Sequence, residues 1–317
     1  MISLQSLALK LKDEKRVALF CHVRPDGDSI GSALALKLAL LKLGVDAEVV
    51  CDDPVPSRFF FLKEVETVKS NLNGEYSALI AMDCADVTRL GSFSDVFLKH
   101  KNTYSIDHHV SNNRYSKTNY VVERSSNCEN VLSLITEMGV EIDQKIANLI
   151  ALGIITDTGN FKHKNVSAET LKSASIAKEK GADLNLITYK TFNEQTKERA
   201  KLFGRVMSCI RYFENDRFAL ATIRLSDLEA SGAKPEETEG FIDFVMGIDT
   251  VEIGACIMET STNVFKVSFR SKGADVNAVA GTFGGGGHTL ASGCRISGEY
   301  EEVVDKIRFA VSRELPI

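Results

Sequence analysis

The sequence predicts an α/β protein in which a mainly parallel sheet flanked by helices (the first domain) is joined by a helical linker to a smaller α+β domain. In the first half, short apolar runs alternate with stretches long enough to form crossover helices. After Arg211 the pattern changes to strand-like alternation with hairpin signals. Because 317 residues exceed what one hydrophobic core usually organises, we divide the chain into residues 1–188, a linker at 189–206, and residues 207–317.

The strands of the first domain are predicted from short, nearly continuous apolar runs. Such runs are typical of strands that are buried on both faces of a parallel sheet. Each run ends in polar or acidic residues, and the intervening stretches can cross over the sheet. The predicted strands cover residues 17–23, 47–51, 77–84 and 104–106.

The first helix is predicted over residues 29–43, where apolar residues recur at helical spacing before Gly44. A second apolar helix, over residues 143–155, runs into the segment that contains Asp157. Further helices are predicted over residues 167–180, around residue 241, and over 301–313, with the charged segment 193–206 as the linker helix.

Composition and charge restrict the classes of function. The formal net charge of -5, from 43 acidic and 38 basic residues, argues against the broad basic surface that grips long duplexes. The seven cysteines are scattered without a C-x-x-C pair, which indicates reduced, buried thiols. The chain shows neither a cleavable leader nor a stretch of ~18 apolar residues. We therefore expect a cytoplasmic protein that does not enter a membrane.

Polar clusters follow three of the predicted strands at their carboxyl ends. They lie at residues 24–28, 83–86 and 107–109. In open parallel sheets, ligands bind beyond the carboxyl ends of the strands. The three clusters are therefore expected to share one edge of the sheet.

The first of these clusters offers one imidazole and two carboxylates, from His22, Asp26 and Asp28. This donor set suits Mn²⁺ best, with Mg²⁺, Fe²⁺ or Co²⁺ as alternatives, because the sulfur ligands typical of structural zinc are missing from the spacing. A reading without metal is equally open for this cluster alone. In that reading His22 packs inside the sheet and Asp28 caps the following helix.

Two further acids stand at the ends of predicted elements. Asp83 ends the run ALIAMD, and Asp86 and Arg89 follow closely. Asp157 follows a buried helix, where a glycine lets the chain turn sharply. Each of these acids alone is weak evidence of a site, since Asp is common in turns.

The triplet Asp107-His108-His109 places an acid beside two imidazoles at a strand end. That arrangement is costly to maintain without a metal, a phosphate or hydrogen-bond partners. Adjacent residues at a strand end point in different directions. We therefore expect His108 and His109 not to bind the same ion.

These residues, taken in chain order, resemble the four motifs of the DHH phosphoesterase superfamily. The resemblance implies two metal ions with Asp83 as the bridge between them. It assigns one ion to His22, Asp26 and Asp83, and the other to Asp28, Asp83, His108 and Asp157. It also implies catalytic roles for Asp107, which would orient an imidazole, and for His109, which would face the substrate phosphate.

The second domain carries a separate resemblance, to the DHHA1 substrate domain. Phe269-Arg270-Ser271 is followed by a run of four glycines, His288 and Ala291-Ser292-Gly293. Backbone N–H groups of such a glycine run can approach a phosphate, and an arginine can grip it with two hydrogen bonds. The substrate-binding residues implied are Arg270, Ser271, Gly285, Gly286, Gly287 and His288.

Within the superfamily, the two-domain length is most similar to the bacterial nanoRNase and 3'-phosphoadenosine 5'-phosphate phosphatase family. The resemblance implies manganese-dependent hydrolysis, with two Mn²⁺ ions and with Mg²⁺ or Co²⁺ as alternatives. The implied substrates are short RNA, including linear dinucleotides, and 3'-phosphoadenosine 5'-phosphate. Hydrolysis of the RNA yields nucleoside 5'-monophosphates, and hydrolysis of 3'-phosphoadenosine 5'-phosphate yields AMP. The resemblance also implies a homodimer. Binding of long duplexes is not expected.

Four other functions fit parts of the pattern. A type II inorganic pyrophosphatase resembles the metal motifs but carries a different C-terminal domain. A cyclic-dinucleotide phosphodiesterase shares both domains, and only its substrates distinguish it. A catalytically silent nucleotide-binding module conflicts with the complete ligand set, and a processive single-strand exonuclease conflicts with the weak net charge.

Overall fold

The computed structural model describes residues 2–315, which form two compact units, Met1–Glu194 and Gln195–Ile317. The segment predicted as a linker is divided between them. Residues Tyr189–Asn193 form a π-helical turn in the first unit, whereas the charged helix Lys197–Ser208 lies in the second. That helix buries Leu202 and Val206 in the core of the second unit.

The first unit is built on a five-stranded sheet in which every neighbouring pair is parallel, as predicted. The strand order is β2-β1-β3-β4-β5, so the direction of winding reverses between β1 and β3. The fifth strand is short and half-exposed, and its sequence gave no apolar run to reveal it. The strands are β1 (Arg16–Phe20), β2 (Asp46–Val50), β3 (Ala78–Met82), β4 (Thr103–Asp107) and β5 (Thr118–Val121).

Helices cover both faces of this sheet, and their buried residues form the main core. Four of them, α1, α3, α4 and α7, were not predicted, while the helices predicted at 29–43, 143–155 and 167–180 are present with shifted ends. The helices are α1 (Leu4–Lys12), α2 (Gly27–Lys42), α3 (Ser94–Lys99), α4 (Asn127–Glu137), α5 (Gln144–Asp157), α6 (Ala168–Glu179) and α7 (Leu184–Thr188).

Helices α2 and α5 approach each other closely because glycines line their contact. A Cβ atom on Gly31 would lie 2.4 Å from the carbonyl oxygen of Leu149. A Cβ atom on Gly153 would lie 2.3 Å from both Asp28 Oδ1 and Cys128 Sγ. Side chains at these positions would push the helices apart. The glycines therefore allow the carboxylate of Asp28 to lie between α2, α4 and α5.

The second unit contains a six-stranded mixed sheet with the order β10-β11-β9-β8-β7-β6. Only β7 and β8 pair in parallel; the other pairs are antiparallel. Hairpins at residues 214–216 and 261–263 confirm the alternation predicted there. The strands are β6 (Arg211–Phe213), β7 (Phe218–Ile223), β8 (Ile253–Ser261), β9 (Val264–Ser271), β10 (Gly286–His288) and β11 (Ala291–Ser297).

Two separate cores lie on the two faces of this second sheet. Phe269 and Val267 pack with Ile307 on one face, whereas Leu202 and Phe241 pack on the other. A helix around Phe241 and a final helix confirm the α+β prediction. The helices are α8 (Lys197–Ser208), α9 (Leu225–Ser231), α10 (Phe241–Met246), α11 (Val276–Gly281) and α12 (Tyr300–Ser312).

The cysteines are all free, and most are buried, as the scattered spacing predicted. Cys209 differs, because it follows α8 on the surface and is exposed. Within residues 2–315, the helices are all too short or too polar to span a bilayer.

Candidate metal centre

The predicted polar clusters meet at the carboxyl edge of the parallel sheet, next to the reversal between β1 and β3. His22 follows β1, Asp83 directly follows β3, and Asp107 is the last residue of β4. Asp157 is the last residue of α5, which runs toward the same edge. Strand ends and one helix end thus bring together residues that are far apart in the sequence.

The acidic and imidazole side chains form three groups whose ligand atoms lie within 4.8 Å of one another. Two of the groups bring together residues that the resemblance assigned to each ion, except that Asp83 joins only the first of these two and the third group. The groups are His22, Asp26 and Asp83; Asp28, His108 and Asp157; and Asp83, Asp107, His108 and His109.

Asp83 faces imidazoles with both carboxylate oxygens. Its Oδ2 lies 3.5 Å from Nε2 of His22, and its Oδ1 lies 3.2 Å from Nε2 of His108. Its backbone adopts φ +54°, a left-handed conformation that is uncommon outside glycine. Such strain costs about 1–3 kcal/mol and persists where surrounding contacts hold the backbone in that conformation. Here the amide of Asp83 donates to the carbonyl of Ile106.

His108 is oriented by a carbonyl group. Its Nδ1 lies 3.0 Å from the carbonyl oxygen of Arg124, which can only accept, so Nδ1 carries a proton. Nε2 of the neutral ring then offers a lone pair, and it lies 3.4 Å from Asp157 Oδ2 and 3.9 Å from Asp28 Oδ2. This tautomer is the one that a metal ligand requires.

Asp28 is held by the amino end of α4. The backbone amides of Asn127 and Cys128 donate to its two carboxylate oxygens at 2.5 and 2.9 Å. The reading in which Asp28 caps α2 is wrong, because Asp26 takes that place and accepts from the amides of Asp28 and Ser29. The carboxylate of Asp28 points instead into the cluster.

Asp107 and His109 form a hydrogen-bonded pair next to Asp83. Nδ1 of His109 lies 2.8 Å from Asp107 Oδ1, while Asn112 donates to Asp107 Oδ2 at 2.6 Å. The premise that the side chains of His108 and His109 point in different directions is wrong, while the expectation that they do not bind the same ion stays a prediction. Their ring centroids lie 4.3 Å apart, because both residues follow the end of β4, where strand alternation no longer applies.

The electrostatics of the cluster are those of crowded acids. Burial and the charge of Asp83 raise the pKa of Asp28 to about 7. Burial and the charges of Asp28 and Asp83 raise the pKa of Asp157 to about 10. Burial disfavours the charged form of His22, but the carboxylates of Asp26 and Asp83 outweigh it and raise its pKa to about 10. The cluster therefore retains protons that bound cations would replace.

The donor set fits divalent cations. Asp83 Oδ1 and His108 Nε2 are buried, and within residues 2–315 neither has a hydrogen-bond partner. Leaving buried polar atoms without partners is costly, and a cation would satisfy both. The three groups contain oxygen and imidazole donors without a thiolate, which favours Mn²⁺, Mg²⁺ or Fe²⁺ over structural zinc.

In the second unit, the predicted substrate residues lie at one end of the sheet. Arg270 of β9 pairs with Ala291 of β11, which pairs with His288 of β10. Directly paired residues share a face, so Arg270 and His288 project from the same side. Ser271 projects from the opposite side, and its hydroxyl donates to the carbonyl of Ala274. The structure therefore groups Arg270 and His288 but not Ser271.

The four-glycine run is partly an edge strand rather than only a turn, since Gly286 and Gly287 begin β10. Gly287 has φ +155°, and a Cβ atom there would lie 2.6 Å from the carbonyl oxygen of Ala291. A Cβ atom on Gly285 would lie 2.2 Å from the carbonyl oxygen of Gly293. Glycine is thus required for close packing of β10 against β11.

Three contributors to these sites were not assigned from the sequence. Asn112, which holds Asp107, lies in a polar loop without a pattern. The backbone amides that hold Asp28 cannot be recognised from the identity of the side chains at those positions. Arg89 was noted beside Asp83, but its contact with His22 could not be foreseen.

This parallel sheet, with its acid and imidazole cluster, and the separate mixed-sheet unit place the chain in the class of two-domain phosphoesterases. Residues 16–154 match the DHH family, N-terminal domain, and residues 215–315 match the DHHA1 domain. The chain belongs to the DHH family of bifunctional oligoribonucleases and PAP phosphatases.

Individual relatives support this membership. The chain is 30% identical to the bifunctional oligoribonuclease and PAP phosphatase NrnA of Thermus thermophilus, over 95% of this chain and 91% of that protein. It is 30% identical to the enzyme of the same name from Bacillus subtilis, over 88% and 89%. The crystal structure of an exopolyphosphatase-related protein from Bacteroides fragilis has a TM-score of 0.86 and 26% identity, covering 98% of this chain and 95% of that one.

Proposed function

We propose that the protein is a manganese-dependent phosphoesterase that hydrolyses short oligoribonucleotides to nucleoside 5'-monophosphates and 3'-phosphoadenosine 5'-phosphate to AMP and phosphate. The observation that carries the proposal is the arrangement of two ligand groups on either side of Asp83. Relatives that match nearly the whole chain bear the name of both activities. A cytoplasmic location and a homodimer remain predictions.

The first unit is proposed to hold two cations. His22 and Asp26 would bind one and Asp28, His108 and Asp157 the other, while Asp83 would contact both. Two cations in one site supply an activated water and neutralise charge on the attacking and leaving oxygens. The amides of Asn127 and Cys128 would keep the carboxylate of Asp28 oriented during turnover.

His109 is proposed to contact the phosphate rather than a metal. Its Nδ1 is engaged by Asp107, so Nε2 remains for a substrate, and the side chain is 43% exposed. The hydrogen bond to Asp107 also raises the pKa of His109. An imidazolium in this position would donate to a phosphoryl oxygen and offset its negative charge.

The second unit is proposed to bind a phosphate or a base of the substrate. Arg270 and His288 project from one face, and Arg270 lines a cavity there together with Lys266 and Ser268. Cationic groups on an exposed sheet face suit a phosphate or a base.

The proposal is tested by supplying Mn²⁺ to metal-stripped protein and comparing substrates by chromatography. The panel is a 5'-phosphorylated diribonucleotide, 3'-phosphoadenosine 5'-phosphate, a cyclic dinucleotide, a long RNA and pyrophosphate. Rapid cleavage of only the first two is expected. Preference for another substrate would move the function to the matching alternative, and no cleavage of any would overturn it.

A further inference from the structure

Arg89 lies beside the metal-ligand cluster but belongs to none of its three groups. It is part of the 3₁₀ segment Val87–Phe93, which begins four residues after Asp83. Asp86 caps the start of the segment, and its side chain accepts from the amide of Thr88 at 2.8 Å. The carbonyl of Arg89 itself accepts from the amide of Val23 at 2.7 Å. The backbone of Arg89 is thus tied to the loop that carries His22.

A second anchor holds the same segment. The carboxylate of Asp52 accepts from the amide and the hydroxyl of Ser92 at 2.9 and 2.5 Å. Gly91 makes the required bend with φ +61°, close to the Asp52 carboxylate. Arg89 is nevertheless exposed. The backbone of Arg89 is therefore held in place, while its exposed guanidinium can turn.

The guanidinium makes a contact that conflicts with a second one. Its Nη2 lies 2.7 Å from Nδ1 of His22, and the same Nδ1 lies 2.9 Å from the carbonyl oxygen of Val23. A guanidinium has only donors, and a carbonyl oxygen only accepts. Nδ1 cannot accept from Arg89 and donate to Val23 at once. Only one of the two contacts is therefore a hydrogen bond in any one state of His22.

The contact with Val23 is the fixed one. The carbonyl oxygen of Val23 belongs to the backbone beside the ring and requires a proton on Nδ1, whereas the exposed guanidinium of Arg89 can turn. The N–H groups of Arg89 then face another N–H group, and the contact is repulsive. Within residues 2–315, no carboxylate forms an ion pair with Arg89 that could replace it. The guanidinium is left without an acceptor at the edge of the cluster.

We propose that Arg89 turns away from His22 and binds the phosphoryl group that is hydrolysed. A guanidinium can bind two oxygens of one phosphate through two parallel hydrogen bonds. Arg89 and His109 would then approach the phosphate from opposite sides of Asp83, since His22 contacts Asp83 Oδ2 and His109 lies 3.6 Å from Oδ1. This inference rests on the proposed phosphoesterase function.

The test measures binding rather than turnover. Mn²⁺ affinity and the affinity of the Mn²⁺-loaded protein for inorganic phosphate are determined by calorimetry for wild type, Arg89→Met and Arg89→Lys. The control is Lys99→Met, which removes one exposed positive charge from α3 of the same unit. Arg89→Met should weaken phosphate binding about tenfold without weakening Mn²⁺ binding. Arg89→Lys should recover part of the loss, and Lys99→Met should match wild type.

A different pattern would overturn the inference. If Arg89→Met weakened Mn²⁺ binding and left phosphate binding unchanged, Arg89 would serve only to hold His22. Equal loss in Lys99→Met would indicate a general charge effect, and wild-type protein that does not bind phosphate would also contradict the proposal. Because no turnover is needed, failure of the wild-type protein to cleave nucleotides counts against the proposed function and leaves the result for Arg89 interpretable.

Discussion

The two units place their proposed functional groups in opposite surroundings. At the edge of the parallel sheet, the side chains of Asp28, Asp83 and His22 are at most 3% exposed, and backbone amides hold the carboxylate of Asp28. On the mixed sheet, His288 and the glycines before it lie at an exposed edge. Buried charges act strongly and need exact orientation, whereas exposed ones act weakly and tolerate different ligands. The contrast supports the proposal that chemistry takes place in the first unit and that the second unit retains the substrate.

The largest effect is expected from Asp83→Ala. It removes the carboxylate between both ligand groups, so turnover of every substrate should fall by more than about a thousandfold. Asp95→Ala, on the exposed surface of α3, is the matched control. Steady-state rates with Mn²⁺ decide the matter. Near wild-type turnover of Asp83→Ala would remove the site from the first unit.

Metal affinity should rise with pH. The raised pKa values of Asp28 and Asp157 mean that these carboxyls hold protons at neutral pH in the metal-free protein, and cations must displace those protons. Mn²⁺ affinity should therefore increase about tenfold per pH unit for each proton displaced, between pH 6 and 9. Calorimetry in buffers of different ionisation enthalpy counts the protons. An affinity that does not change with pH would contradict this account of the cluster.

Gly153→Ala tests how tightly the first unit is packed around Asp28. The added methyl group meets Asp28 and Cys128, so the free energy of unfolding should fall by about 1–3 kcal/mol and Mn²⁺ binding should weaken. Gly204→Ala in α8 has open space around it and should raise the free energy of unfolding by up to about 1 kcal/mol. Urea denaturation compares them. Equal effects would show that the two sites are packed alike.

The smallest effect is expected in the second unit. Arg270→Ala should weaken nucleotide binding about tenfold and leave Mn²⁺ affinity unchanged, because Arg270 lies in the unit without the metal cluster. Ser271→Ala should change nucleotide binding little, since its hydroxyl serves Ala274. Binding titrations with AMP distinguish these outcomes. A larger loss in Ser271→Ala than in Arg270→Ala would reverse the proposed face of the sheet.

The sequence predicts the residues of the metal cluster better than it predicts the groups that orient them. His22, Asp83 and Asp107 could be placed together because apolar runs mark the strands and parallel strands end at one edge. The orientation of Asp28 could not be predicted, because its partners are backbone amides of α4, whose side chains are unrelated to their role. Strand β5 and the pairing of Gly286 in β10 were missed because both are short edge strands with few apolar residues.

The amides that hold Asp28 have a consequence for how this protein can diverge. A hydrogen bond from the main chain survives almost any substitution of the residue that supplies it. Positions 127 and 128 can therefore change in identity over evolutionary time, provided that the residue at 128 stays small enough for Gly153. Distant homologues can then keep the same carboxylate geometry without sequence identity at the positions that maintain it.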